Sequence, residues 1–291
     1  MKKTITYNSA ILILLFAGLF SIRTSAQTAY VANLLSNTLS VINVATNTLI
    51  TTVTVGSSPN SVSVSYDGSK VYFTTSNNAL SVLNTTNNVV LNTIPVGNGA
   101  YGVCVNPDGS KVYVTNYATN GIVSVINTST NSVSATITVG TEPYGLAVSP
   151  DGNKVYVANY NSNNLSVIDA ATNTVSATIS VGSQPYGVSV SPDGSRVYVT
   201  NSFSNGTVSV INTSTNAVVS TISVGTVPKG VCVSPDGSKV YVANFGSSTL
   251  SVINTTTNTV ASTIPLSNSA YGVSISPDGS RYMLQTTELM A

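Results

Sequence analysis

The sequence predicts an all-β propeller made of four-stranded antiparallel blades. Three observations carry that prediction. An Asp-Gly turn recurs at Asp67, Asp108, Asp151, Asp193, Asp236 and Asp278, at intervals of 41 to 43 residues. A Tyr-led segment keeps step with it, at Tyr30, Tyr72, Tyr113, Tyr156, Tyr198, Tyr241 and Tyr282. Between these marks β-branched residues alternate with Ser and Thr, the two-residue period of a strand. A four-strand repeat of about 40–45 residues is the period of a propeller blade. A sheet with apolar residues on both faces cannot bury itself, but it can stack face to face on its neighbours at about 10 Å. A ring of such sheets also protects all but the short outer edges. A β-solenoid has shorter coils and needs no hairpin at one fixed point per unit.

The first 26 residues read as a leader rather than as part of the fold. Lys2 and Lys3 supply positive charge, residues 10–20 form an apolar run, and Thr24-Ser25-Ala26 is a small-x-small cleavage signal. These are the three parts of a secretory signal peptide. The run is too short for a membrane span, which takes about 20 residues. Export to the cell surface or beyond is therefore expected, with no span left after cleavage. Cleavage would remove Lys2, Lys3 and Arg23 from a chain of formal net charge +1, leaving it faintly acidic.

The propeller is expected over residues 27–286. In the unit from Tyr186 to Thr226, Gly187-Val188-Ser189-Val190-Ser191 is the first strand. Pro192-Asp193-Gly194 closes it, Pro pre-setting φ and Gly accepting φ > 0. Val197-Tyr198-Val199-Thr200, Thr207-Val208-Ser209-Val210-Ile211 and residues 218–224 follow as strands, joined by polar turns. The chain enters at the second strand of a blade, Tyr30 to Asn33, and five complete units follow. A last unit supplies its first strand, its Pro277-Asp278-Gly279 turn and a degenerate second strand from Arg281. Six blades' worth of strands are present. The last first strand either completes the blade begun at Tyr30, or the ring is an incomplete seven-bladed one.

Tyr282 should open a Tyr-Val-Ala-Asn segment, but Met283-Leu284-Gln285-Thr286 follows. Codons ATG-TTG-CAA-ACT read after two skipped bases give Val-Ala-Asn. The expectation is a shifted reading frame, with residues 287–291 an atypical tail outside the fold. The DNA immediately downstream tests it, and no further blade in either alternative frame would sink it.

Tyr113-Val114-Thr115-Asn116 and Tyr198-Val199-Thr200-Asn201 spell a signature, with variants YVAN at Tyr30, Tyr156 and Tyr241 and YFTT at Tyr72. With Thr-Leu/Val-Ser-Val-Ile-Asn and Val-Ser-Pro-Asp-Gly, the chain resembles the YVTN β-propeller repeat family over residues 30 to about 285. That resemblance implies seven blades and a surface-layer or secreted cell-surface setting. It does not itself imply an activity, because fold does not fix function.

Composition excludes several functions. Only 7% of residues are charged, against about 25% in ordinary domains. Ten Lys and Arg over 291 residues are too few for a phosphate-tracking stripe, so no nucleic-acid partner is expected. The absence of His removes Ser-His-Asp and Cys-His catalysis and most zinc sites. Six of seven Asp share one turn position, where they are expected to accept backbone N–H groups and to meet the Lys or Arg three positions on, as Asp108 with Lys111 or Asp193 with Arg196. Asp169 stands in the place of Asn127, Asn212 and Asn254. No carboxylate pair is set apart for acid–base work.

Cys104 and Cys232 occupy one slot of the first strand, filled elsewhere by Ser63, Ala147, Ser189 or Ser274. They read as small core residues, too far apart for a disulfide. The second Tyr series, from Tyr72 to Tyr241, reads as inter-blade core. Sequons at Asn84, Asn127, Asn164, Asn205, Asn212 and Asn254 read as by-products of the Asn-Thr turn. The features with functional promise are Tyr101, Tyr144, Tyr186 and Tyr271, each just before the Gly that opens an innermost strand, with Asn60 and Lys229 in the same slot elsewhere. They are candidates to ring the channel mouth and contact sugar or peptide. The competing expectation is that these rings pack over the next blade and cover the Gly.

The reading is a non-enzymatic structural or interaction module at the cell surface, binding protein or glycan, with no cofactor and no metal. The alternative is a propeller enzyme or metal-binding module of the quinoprotein or lactonase-like kind, in which a carbonyl-lined channel would hold Ca²⁺.

Overall fold

A computed structural model describes residues 28–286 and the backbone of Ile5–Tyr7. Its local unit is the Asp-Gly hairpin. Gly194 sits at φ 71°, a left-handed conformation cheap only for Gly. Its N–H donates to the Ser191 carbonyl at 2.8 Å, and the Ser191 N–H donates to the Arg196 carbonyl at 2.9 Å. Asp193 locks the turn. Its Oδ1 accepts the Ser191 hydroxyl at 2.5 Å and the Ser195 N–H at 3.0 Å, and its Oδ2 accepts the Ser195 hydroxyl at 2.8 Å. The bond from Ser191 is the chief cause that lowers the Asp193 carboxyl to about 2, and Ser234 does the same for Asp236.

A carboxylate depressed in the folded state contributes stability above its unfolded pKa near ~4 and loses it as pH falls through the folded value. Asp193→Ala is therefore expected to lower the melting temperature near pH 7, with the gap to wild type closing toward pH 2. Thermal melts across that range check it, and an equal gap at both ends would refute a carboxylate role.

The Lys or Arg of each hairpin does not turn back to its Asp as the sequence suggested. Lys111 Nζ donates to the Ala170 carbonyl and to Asn173 Oδ1, in the next blade. Lys154 Nζ reaches the Thr213 carbonyl at 3.2 Å. Local donors already fill the Asp oxygens, and the long side chains reach carbonyls of the neighbouring blade's outer hairpin. Asp169 plays the part of the equivalent Asn residues, its Oδ1 accepting the Ala171 and Thr172 N–H groups at 2.9 Å each.

The fold is a β-propeller of antiparallel blades, and consecutive strands lie side by side in every blade. Four-stranded sheets span residues 59–95, 100–138, 143–180, 185–223 and 228–265. The first sheet, 28–54, has three strands. The last has Ala270–Ile275 and Tyr282–Thr286, with Ile5–Tyr7 parallel to the latter. Among the described residues the 26 strands thus fall into seven sheets. Of the two closures open from sequence, the structure takes the second: Ala270–Ile275 pairs with Tyr282–Thr286, not with Thr28–Asn33. Arg281 Nη1 bonds the Ala45 carbonyl and Asn47 Oδ1, both at 2.9 Å. This is the same kind of inter-blade strap that Lys111 makes, here joining the last sheet to the first. Residues 1–4, 8–27 and 287–291 lie outside the description, so the leader and tail expectations fall largely on undescribed residues. Ile5–Tyr7 lies within the stretch read as leader.

Six apolar clusters fill the spaces between sheets. Tyr156, Leu165 and Val167 of one blade, for example, pack with Val197, Val199 and Ile211 of the next. Tyr72, Tyr113, Tyr156, Tyr198 and Tyr241 are all buried, each in the cluster it shares with the following blade. Their neighbours in the strand face the preceding blade: Val197 and Val199 flank Tyr198 and look backward. Both faces are apolar because every complete blade is sandwiched.

Register corrects one sequence expectation. Ser63, Cys104, Ala147, Ser189 and Cys232 pair with Tyr72, Tyr113, Tyr156, Tyr198 and Tyr241. The equivalent Ser274 pairs with Met283, not Tyr282. Hairpins of equal length fix the count, so Met283 takes the Tyr slot and packs against the first sheet.

Candidate functional site: an axial channel with an aromatic mouth

The innermost strands need small residues at two places. Gly145 lies so close to the next blade that a Cβ there would stand 2.2 Å from the Tyr186 carbonyl oxygen, and one on Gly187 would stand 2.4 Å from that of Lys229. The Thr of the YVTN signature reinforces this approach. Thr115 Oγ1 accepts the Gly102 N–H at 2.8 Å and donates to the Tyr144 carbonyl at 2.7 Å in the next blade. Thr200 does the same between Gly187 and Lys229. The slot before the Gly is thereby pinned by its backbone, and its side chain is free to project.

The second small position abuts the next blade: Ser63 Oγ accepts the Val105 N–H at 3.3 Å and Ser189 Oγ the Val233 N–H at 3.2 Å. Ser63, Cys104, Ala147, Ser189, Cys232 and Ser274 all line a channel of about 720 Å³. Pro107, Pro150, Pro192, Pro235 and Pro277 line it too, where each opens an Asp-Gly turn. Cys104 and Cys232 are free thiols in different inter-blade clusters. Burial pushes both up to about 11, so each is an uncharged, weakly reactive thiol at neutral pH.

The other end is the aromatic mouth. Tyr101, Tyr186, Lys229 and Tyr271 line the channel there. Tyr144 does not line it but sits at the centre of a ring cluster. Its ring stacks on Tyr186 at 4.7 Å and meets Tyr101 edge-on at 4.8 Å. The Tyr101 and Tyr186 hydroxyls share a 2.5 Å hydrogen bond. Burial raises the Tyr101, Tyr144 and Tyr186 phenols, Tyr186 far above the ordinary value, so all three are neutral. Tyr271 pairs instead with Phe245 at 4.3 Å. Asn60 stays out of the mouth, its Nδ2 directed to the Ala100 carbonyl at 3.4 Å. The Gly residues are covered by the next blade's backbone carbonyls rather than by the rings.

Sequence reasoning missed Tyr117 and Tyr160. Their centroids lie 4.5 and 5.1 Å from that of Tyr144, and Tyr117 donates to Glu142 Oε2 at 3.1 Å. The signal was present: Tyr117, Tyr160 and Phe245 each follow the Asn of a YVTN or YVAN segment. Lys229 Nζ lies 4.0 Å from the Tyr186 ring centroid and 5.8 Å from that of Tyr160, a cation–π arrangement. Burial lowers its ammonium to about 8. Among the described residues lining the channel, Lys229 alone carries a charge. No group of three His, Cys, Asp or Glu suited to a metal occurs among the described residues. No helix there is long and apolar enough to cross a membrane.

Near-uniform blades around an apolar channel, with an aromatic and cationic rim at one end, define the class: a β-propeller with an axial cavity. The YNCE-like beta-propeller family model matches residues 105–203 and 193–290, and the chain belongs to that family. Among solved structures it is similar to a chain described as Kuenenia stuttgartiensis Hydrazine Synthase. The TM-score is 0.78 at 18% identity, over 89% of this chain and 92% of that one, which is a likeness of fold. No curated protein matches the chain.

Proposed function

We infer that the protein is an exported, non-enzymatic binding module that presents its aromatic mouth to a protein or glycan at the cell surface. The observation that supports this most is the mouth itself. Tyr101, Tyr144, Tyr186, Tyr117 and Tyr160 gather five aromatic rings beside one cation, with hydroxyls for orientation and faces for stacking. The leader-like first 26 residues and the resemblance to surface-layer repeat proteins support the location. The repeat argues against catalysis, since its acids are spent on turn geometry and no blade departs from the pattern with a reactive cluster.

A glycan array and a pull-down with the secreted protein test this reading, with Tyr144→Ala and Tyr186→Ala as controls. Binding that both substitutions weaken is the expected result. Binding untouched by either removes the mouth from the function, and turnover of a captured ligand overturns the non-enzymatic assignment.

A further inference from the structure

We propose that the mouth takes a carboxylate-bearing sugar, a uronic acid residue of an acidic glycan, with its carboxylate on Lys229 and its ring on the Tyr platform. This deepens the binding reading above and rests on it.

The argument starts from charge. Lys229 replaces Tyr in a slot where four other blades carry Tyr, so the substitution adds charge to a site otherwise built of aromatic rings. Its ammonium has ring faces as its recorded partners, and no carboxylate faces it among the residues lining the channel. Glu142, the acid nearest in sequence to the platform, accepts from Tyr117. A half-buried cation held over an aromatic face, with no ion pair to it among the described residues, is left to meet an anion that arrives.

The surroundings select the rest of the ligand. Tyr117, Tyr144 and Tyr160 lie at mutual tilts of 48° and 65° about Tyr144, which offers angled faces to the C–H side of a pyranose. Their hydroxyls can donate to or accept from sugar hydroxyls. A peptide carboxyl terminus is commonly held by a nest of backbone N–H groups. Two such N–H groups, of Gly102 and Gly187, are spent on Thr115 and Thr200, and the peptide probe below tests the blades where Ala158 and Ala243 replace that Thr. A phosphate or nucleic acid would require more cations than one. The same slot on the next blade carries Tyr271 against Phe245, so the channel beyond Lys229 is again aromatic. One charge on the protein matches one charge per sugar.

Calorimetric titration tests the proposal with four probes: trigalacturonate, its methyl ester, maltotriose and acetyl-trialanine. The chain has no Trp, so its emission comes from its 15 Tyr, and Tyr144→Phe identifies the share that the platform contributes. Trigalacturonate is expected to bind and quench Tyr emission. The ester and maltotriose are expected to bind at least about tenfold more weakly, as is trigalacturonate to Lys229→Met. Lys239→Met, on the hairpin side of the blade, is expected to bind as wild type does. Equal binding of acid and ester overturns the carboxylate assignment while leaving a glycan-binding mouth intact. Binding of acetyl-trialanine in preference to the uronide overturns the sugar assignment. If no probe binds and the glycan array is also blank, the glycan reading itself falls; if the array is positive for neutral glycans alone, only this proposal does.

Discussion

Tyr156→Ala is expected to cost about 3–5 kcal/mol of folding stability, the range for truncating a large buried ring. Tyr156 is 1% exposed. It fills the space between the blades at 143–180 and 185–223, against Leu165, Val167 and Ile179 on one side and Val197, Val199 and Ile211 on the other. The surrounding strands are fixed by their own ladders and cannot collapse into the void. Tyr156→Phe removes only the hydroxyl and is expected to stay within about 1 kcal/mol, as small conservative changes do. Urea unfolding of the three proteins measures this. A loss in the Phe variant as large as in the Ala variant would mean that the hydroxyl, not the ring, holds the blades together.

Gln285→Met is expected to have the opposite sign. Gln285 is 2% exposed, and both its Nε2 and Oε1 lack hydrogen-bond partners. An unmet buried polar group costs about 1–3 kcal/mol. Met has nearly the same shape with no such group, so a gain of about 1–3 kcal/mol is expected. The cause is register. With Met283 in the Tyr slot, Gln285 falls where Ala32, Ala158 and Ala243 sit in other blades. Those alanines are fully buried. Thr115 and Thr200, in the same slot of two other blades, place a short hydroxyl between a Gly N–H and the next blade's carbonyl, whereas the longer Gln285 amide makes no such bond. Destabilisation by Gln285→Met would show that the amide is satisfied in solution and that the register of the last strand differs from the one described.

The sequence made most of the blade legible because most of the blade is local. Pro-Asp-Gly sets a hairpin of fixed length, and alternation assigns each strand residue to a face. The Tyr series reads directly as core, and burial of Tyr72, Tyr113, Tyr156, Tyr198 and Tyr241 bears that out. The last strand misled because Tyr282 looks like the series while standing one place early. Only the count from Asp278 reveals it. The mouth was half legible. Tyr101, Tyr144, Tyr186 and Lys229 were visible as one recurring slot, whereas Tyr117 and Tyr160 come from a different part of the repeat, after the second strand. Their meeting with Tyr144 depends on how neighbouring blades are set around the axis, which no spacing within one repeat encodes.

What the sequence determined by itself is the unit: its four strands, its turns, its two apolar faces and the identity of the residue in each slot. Tertiary structure decided how many sheets share those strands, where the ring is joined, and which slot residues meet. The bond from Arg281 to the Ala45 carbonyl spans 236 residues. Near-identical units leave such pairings undetermined, because every blade face is complementary to every other. Only stacking around a closed circle selects which faces meet, and with them the one end of the channel where five Tyr rings and a lone Lys come together.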